Sequence, residues 1–199
     1  MRFFILTIIL FLLFVSQTLA ISVINPEVMK EAQEYGILKS KNSLQEFLVP
    51  WTSYEEQAVK LDDTAERSYL YTPFLLIAAD ARSKSLNGHN IDMADSEEML
   101  KNYSGLLSFS TVLFGKDQEF ARDSYVVIKQ NKNVIKAYQI IVPSESEKIV
   151  QDQGISRFKA QCFFYFYEED ILPEYPLILS IMTNDQQEHN FYFDLMKIK

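Results

Sequence analysis

The stretch Arg157–Tyr167, with the sequence RFKAQCFFYFY, alternates like a β-strand and decides the predicted fold. Successive side chains of a strand point to opposite faces of the sheet. Here the two faces are both apolar, with Phe163, Tyr165 and Tyr167 on one and Cys162, Phe164 and Phe166 on the other. A strand with one face in water alternates apolar and polar residues instead. We therefore expect a central strand covered on both sides, by a second sheet on one face and by helices on the other.

Further strand patterns surround this stretch, because the spacing of apolar residues changes from the helical period to a period of two after Gly105. Turn signals at 131–133 and 184–187 predict hairpins, and 144–155 is predicted to be a polar loop. The predicted strands cover residues 107–115, 125–130, 134–142, 157–167, 177–183 and 188–195. Short antiparallel strands separated by turns favour a β-sandwich of immunoglobulin-like type.

Helix signals come before the strands. Asn25-Pro26 and Thr72-Pro73 each place an N-cap residue before a proline at the first helical position. They predict helices from Pro26 to a C-terminal cap at Gly36, and from Pro73 to Asn87. Shorter helical segments are predicted at 44–50, 53–61 and 95–102. The chain is thus predicted to be one α+β unit, with a helical N-terminal region (21–104) packed on a C-terminal antiparallel β-sandwich (105–199).

The first twenty residues are predicted to lie outside the fold. Arg2 is followed by an apolar run from Phe3 to Val15, and small residues lead to Ala20. This is the pattern of a secretory signal peptide, with cleavage after Ala20. An uncleaved membrane anchor is the alternative, although the apolar run is shorter than the roughly 20 residues that a spanning helix needs. Ile21 follows the cleavage site, so the cysteine of a bacterial lipoprotein is not there.

The remaining chain is acidic, with 18 basic residues against 27 acidic ones once Arg2 is removed. It has no basic stripe of the kind that nucleic acids or anionic membrane surfaces attract, so we predict no nucleic-acid partner. We also predict no stable membrane span once the signal peptide is cleaved. Cys162 is the single cysteine, which excludes an intramolecular disulfide. A free cysteine among strand aromatics is predicted to be buried and inert.

No motif predicts catalysis, a metal or a cofactor. The two histidines, His89 and His189, lack the spacings of metal-ligand motifs, although Asp92 and Asp95 follow His89 closely. The glycines are scattered singly, which excludes a phosphate-binding loop, and no GxSxG nucleophile motif is present. The sequence therefore predicts a protein that is not an enzyme, with no cofactor and no metal.

Aromatic residues remain as candidates for binding, since interfaces are enriched in Tyr and Trp. The candidate partner-binding or ligand-binding residues are Trp51, Tyr54, Tyr165, Tyr167 and Tyr192. We predict a non-catalytic binding or assembly module, located in the cell envelope or secreted, whose partner is another envelope or secreted protein. The alternative is a carrier of an apolar ligand in a cavity lined by Phe74, Ile77 and Phe164, and a hydrolase without a recognisable motif is the third hypothesis.

Overall fold

The computed structural model describes residues 24–150 and 156–199. The predicted signal peptide lies outside these residues. Helices account for 31% of the structure and antiparallel strands for 35%, so the predicted α+β class is confirmed. The helices are α1 (Pro26–Leu38), α2 (Leu44–Leu48), α3 (Pro73–Asn87) and α4 (Met93–Tyr103), with 3₁₀ turns at Val49–Trp51, Glu168–Asp170 and Leu195–Lys197.

The strands form two antiparallel sheets. In the order of the chain they are β1 (Thr52–Tyr54), β2 (Arg67–Tyr71), β3 (Leu106–Gly115), β4 (Tyr125–Gln130), β5 (Asn133–Lys136), β6 (Gln139–Ile141), β7 (Glu147–Val150), β8 (Ser156–Tyr167), β9 (Leu177–Met182) and β10 (Glu188–Phe193). The first sheet has the order β1-β2-β3-β8-β6, and β7 also pairs with β8. The second sheet has the order β10-β9-β4-β5.

One hydrophobic cluster joins the two sheets. The first sheet contributes Phe109, Leu113, Cys162, Phe164 and Phe166, and the second contributes Val126, Ile128, Leu179, Ile181, Phe191 and Phe193, among others. Within this cluster the Phe109 ring contacts Phe193 of the facing sheet, with 5.3 Å between the centroids. The inward side of β8 is therefore core, as its alternation predicts.

The outward side of β8 differs from the prediction. Phe163 and Tyr167 are exposed and Tyr165 is half-buried, whereas we expected helices to cover this face. The helices instead pack next to β2, where Tyr69 and Tyr71 contact their hydrophobic cluster. Two-sided coverage of β8 is thus wrong for its second half, because the helical layer packs at the β2 edge of this face and leaves the β8–β6 edge open.

The helical layer has its own core. Its buried members include Met29, Ala32, Phe47, Trp51, Phe74, Leu75 and Ile77. The two predicted N-caps are confirmed: Asn25 Oδ1 accepts a hydrogen bond from the Val28 N–H, and Thr72 Oγ1 accepts one from the Leu75 N–H. The α4 helix begins earlier than predicted, because Asp92 caps it and Asp95 lies in its first turn.

Several local predictions are corrected by the structure. The predicted helix at 53–61 is replaced by β1 and turns, and the region 21–104 also contains β2, which we did not predict. Gly36 does not end α1, since the helix continues to Leu38.

The predicted strand 134–142 is divided into β5 and β6, because the chain changes sheets between them: the Ala137 N–H donates to Val126 O and the Tyr138 N–H donates to Tyr165 O. Part of the predicted loop 144–155 forms β7.

Candidate functional site

The five aromatic residues predicted to bind a partner lie in different environments. Trp51 is 2% exposed, its ring stacks on Phe74, and its indole N–H donates to the main-chain oxygen of Lys199 at 2.7 Å. It therefore packs the helical layer and presents no surface to a partner. Tyr54 is half-buried on the edge strand β1.

Tyr165 and Tyr167 lie together on the outward face of β8, while Tyr192 is exposed on β10 in the other sheet. The structure thus brings two of the five residues together. Three neighbours join them that were not among the predicted binding residues: Phe163 of the same strand, Tyr138 and Ile141. Only the sheet change before β6 places Tyr138 and Ile141 beside β8, and no local pattern shows that change.

We define the β6–β8 strip as Tyr138, Ile141, Phe163, Tyr165 and Tyr167. Ile141 pairs with Phe163 across the two strands, and directly opposite residues share a face of an antiparallel sheet. The rings of Tyr138 and Tyr167 are in contact, with their centroids 4.5 Å apart. Four members of the strip are between 39% and 57% exposed, and Tyr165 is half-buried. The strip is an apolar and aromatic surface on one face of the first sheet, and the exposed Gln139, opposite Tyr165, is the polar residue beside it.

Acidic residues border one end of the strip. Glu168, Glu169 and Asp170 form the 3₁₀ turn that follows Tyr167 directly. Local desolvation and the neighbouring Tyr138 phenol raise the pKa of Tyr167, and the charges of Glu169 and Asp170 add to the effect. Desolvation likewise raises the pKa of Glu168. This end of the strip therefore combines half-exposed phenol rings with negative charge.

A second polar feature joins the two sheets. Glu66, which precedes β2, accepts hydrogen bonds from the Phe114 N–H at 2.8 Å and from His189 Nδ1 at 2.7 Å. His189 lies on β10, and both side chains are largely buried. We call this contact the Glu66–His189 clamp. The sequence predicts His189 as a partly buried strand residue on the face of Phe191, but not this contact, because Glu66 is 123 residues away along the chain.

The hydrogen bonds around His189 favour the protonated ring. The Thr183 hydroxyl has two acceptors, Asp185 Oδ1 at 2.6 Å and the main-chain oxygen of Gln187 at 3.1 Å, and when it donates to either, its own oxygen accepts from His189 Nε2 at 3.2 Å. Glu66 accepts from Nδ1. An imidazolium, in which both ring nitrogens donate, satisfies Glu66 and Thr183 at once. Burial alone would lower the pKa of His189, but the hydrogen bond and charge of Glu66, with Asp185 and Glu55, raise it above the ordinary value.

This arrangement resembles a catalytic group only in part. His189 lies with Glu55, Glu66 and Asp185 around an open cleft of about 300 Å³. However, the His189 side chain is only 9% exposed, so little of the ring faces a molecule in this cleft. Thr183 is 1% exposed, which keeps its hydroxyl from acting as a nucleophile on a bound molecule. The geometry suits a structural clamp better than a general base.

Comparisons were made with protein-family models, curated proteins and solved structures. None of them matches this chain.

Metal-binding and thiol chemistry have little support in the described residues. Within 24–150 and 156–199, no group of three or more His, Cys, Asp or Glu side chains is arranged to hold a metal ion. His89 lies in an exposed loop between α3 and α4. Cys162 is buried in the core between the sheets, and desolvation raises its pKa to about 12, which keeps it a neutral thiol. No helix in the same residues is long and apolar enough to cross a bilayer.

Proposed function

We propose that this protein is a non-catalytic binding or assembly module that acts outside the cytoplasm, in the cell envelope or as a secreted protein, and holds another protein against the β6–β8 strip. The observation that carries the proposal is the exposure of four large apolar and aromatic side chains side by side on one sheet face. Protein interfaces are enriched in such aromatic residues, and contiguous exposed apolar patches mark interaction sites.

The location outside the cytoplasm is supported by the first twenty residues, with their apolar run and the small residues before Ala20. The acidic remainder of the chain, with no basic stripe, favours a protein partner over nucleic acid.

We further propose that the two sheets form a sandwich of immunoglobulin-like type. The strand order supports this assignment. In that fold the strands follow the order A-B-E-D in one sheet and G-F-C in the other, with C′ beside C in the variable type. Here β2-β3-β8-β6 corresponds to A-B-E-D and β10-β9-β4-β5 to G-F-C-C′. The α3 and α4 helices would then be an insertion between strands A and B. Sandwiches of this type host many functions, so the fold permits a binding role without specifying it.

The carrier hypothesis has weaker support. Phe74 and Ile77 belong to the core of the helical layer, whereas Phe164 belongs to the core between the sheets. The three side chains are therefore not positioned to line a common cavity. The hydrolase hypothesis has the Glu66–His189 clamp in its favour, but the burial of His189 and Thr183 makes binding the better-supported function.

Site-specific photocrosslinking tests the proposed function. A benzoylphenylalanine placed at Phe163, in the middle of the strip, should give a discrete crosslinked polypeptide in the protein's native compartment. The same group placed at Val134, which is exposed on β5 in the other sheet, is the matched control and should give none. Equal labelling at both positions, or no product at position 163, would refute the proposal.

A further inference from the structure

The acidic end of the β6–β8 strip has the chemistry of a cation-binding surface. The Tyr138 and Tyr167 rings lie at 45° to each other with their centroids 4.5 Å apart, and both are about half exposed. The face of a tyrosine ring carries partial negative charge and attracts an ammonium or guanidinium group. Two adjacent rings therefore offer a cation more than one favourable face.

The carboxylates beside these rings have no cation of their own. Glu169 and Asp170 are exposed, and among the described residues neither they nor Glu168 forms an ion pair. Their charges reach the Tyr167 phenol and contribute to its raised pKa. By contrast, the start of β8 carries Arg157 and Lys159, so charge is segregated along this strand and the acidic end is the one next to the tyrosines.

Other aromatic rings of the chain already have a cation from the protein itself. The distances from the cation to the ring centroid are between 5.1 and 5.9 Å, and the pairs are Arg82 over Phe47, Lys136 over Tyr125, Arg157 over Phe114 and Lys199 over Phe74. Within the described residues, the Tyr138–Tyr167 pair has none, although it is the pair that borders three carboxylates. The position that a cation would occupy is thus open to a partner.

We propose that the partner protein presents an arginine or lysine side chain that stacks on Tyr138 and Tyr167 and is neutralised by Glu169 and Asp170. The remaining members of the strip then contact apolar side chains next to that basic residue. This inference rests on the proposed binding function and adds the chemistry of the partner. An acidic partner segment would be repelled at this end, and a purely apolar one would bury carboxylates without compensation, which costs free energy.

A pair of short peptides tests the proposal on the folded protein. One peptide carries arginine between apolar residues, and the other has citrulline, a neutral analogue of the same shape, in its place. Binding is followed through the amide NMR signals of Tyr138 and residues 165–170, at about 0.15 M salt, where charges more than about 8 Å apart are largely screened. We expect the arginine peptide to shift these signals and to bind at least about fivefold more tightly than the citrulline peptide.

Matched double variants separate local recognition from overall charge. E169Q/D170N removes two charges beside the tyrosines, and E97Q/E98Q removes two exposed charges from α4. The first variant should weaken binding of the arginine peptide about fivefold or more, and the second should leave it within about twofold. Equal losses in the two variants, or equal affinity for the citrulline peptide, would overturn the proposal.

Two further outcomes distinguish this inference from the function on which it rests. If an oligosaccharide shifts the same signals and the arginine peptide does not, the occupant is a glycan and the proposal is wrong. If crosslinking at Phe163 still yields a protein partner while the arginine peptide fails to bind, the binding function stands and the cation chemistry is refuted. Failure of both experiments refutes both proposals.

Discussion

Phe163 and Phe164 are consecutive residues of one strand with opposite surroundings. Phe164 is fully buried between the sheets, whereas Phe163 is 39% exposed on the β6–β8 strip. Phe164→Ala should destabilise the protein by roughly 3–5 kcal/mol, because it removes buried apolar surface and leaves a cavity. Phe163→Ala, which changes the same residue type at the neighbouring position, should cost less than about 1 kcal/mol. Urea unfolding followed by circular dichroism measures both, and equal losses would contradict the one-sided burial of β8.

At the level of residues, sequence periodicity predicted which side chains share a face of β8 but not what covers each face. The alternation of Phe163, Phe164, Tyr165 and Phe166 is a local property of the extended backbone. Coverage depends on where the helices pack, and Tyr69 and Tyr71 on β2 take the position next to them. The same reason explains Trp51, whose burial against Phe74 is a contact of the helical layer that no local pattern around residue 51 reveals.

The packing of α1 on α3 depends on the absence of a side chain at Gly36. A Cβ atom at this position would lie 2.2 Å from Ala78 O and 2.9 Å from Arg82 N, both of which are main-chain atoms of α3. Gly36→Ala should therefore separate the two helices. Although alanine favours the helix by about 1 kcal/mol over glycine, we expect a net loss of roughly 1–3 kcal/mol from overpacking.

Thermal or urea unfolding tests this expectation, with Glu34→Ala as the control. Glu34 is an exposed residue of the same helix, and alanine there should change the free energy of unfolding by no more than about 0.5 kcal/mol. A stabilised Gly36→Ala variant would mean that helix propensity, and not the close approach of α1 to α3, dominates at this position.

The Glu66–His189 clamp makes the contact between the sheets depend on pH. Since the pKa of His189 is raised above 6.5 in the folded protein, folding favours the protonated ring. The stabilisation is fully present below the unfolded pKa and is lost as the pH rises through the higher folded value. His189→Gln should therefore destabilise the protein by about 1.5–3 kcal/mol at about pH 5.5, where a hydrogen bond to a charged group is lost, and by less at about pH 9.

Urea unfolding at a series of pH values gives the free-energy difference between wild type and variant. His89→Gln, which changes the other histidine in an exposed loop, should leave the pH profile as it is in the wild type. A difference between wild type and His189→Gln that grows towards alkaline pH would show that the ring is neutral in the folded state, against the hydrogen-bond assignment through Thr183 and Glu66.

For the molecule as a whole, the sequence predicted the α+β class and most strands and helix starts, because these follow from local periodicity and capping. It did not predict β2, whose sequence Arg67–Tyr71 is short and follows a turn-rich stretch. Contacts between distant positions were also missed, such as Glu66 with His189 and Tyr138 with Tyr167. Such pairs depend on which strands become neighbours, and that is decided by the packing of the two sheets and not by any single segment.

The main-chain oxygen of Lys199 connects the end of the described chain to the helical layer. It accepts hydrogen bonds from Trp51 Nε1 at 2.7 Å and from Thr72 Oγ1 at 2.6 Å. Trp51 and Thr72 are each only 2% exposed, so water does not readily replace a lost acceptor. Deleting Lys199 should therefore destabilise the protein by about 1–3 kcal/mol, the range for a buried polar group left without a partner.

Lys199→Ala is the matched control, because it keeps the main-chain oxygen and removes only the side chain. That side chain pairs with Glu31, with both groups more than half exposed, and lies 5.7 Å from the centroid of the Phe74 ring. An exposed ion pair contributes about 0–1 kcal/mol and an exposed cation–π contact about 0.5–1 kcal/mol, so Lys199→Ala should lose less in urea unfolding than the deletion, which removes the main-chain oxygen as well. The Trp51 fluorescence maximum should shift towards shorter wavelength in the deletion alone, since the buried indole N–H loses its acceptor there and water does not replace it. If the deletion and Lys199→Ala were equally destabilised, the connection would depend on the side chain, and the main-chain oxygen would not be the group that holds the helical layer.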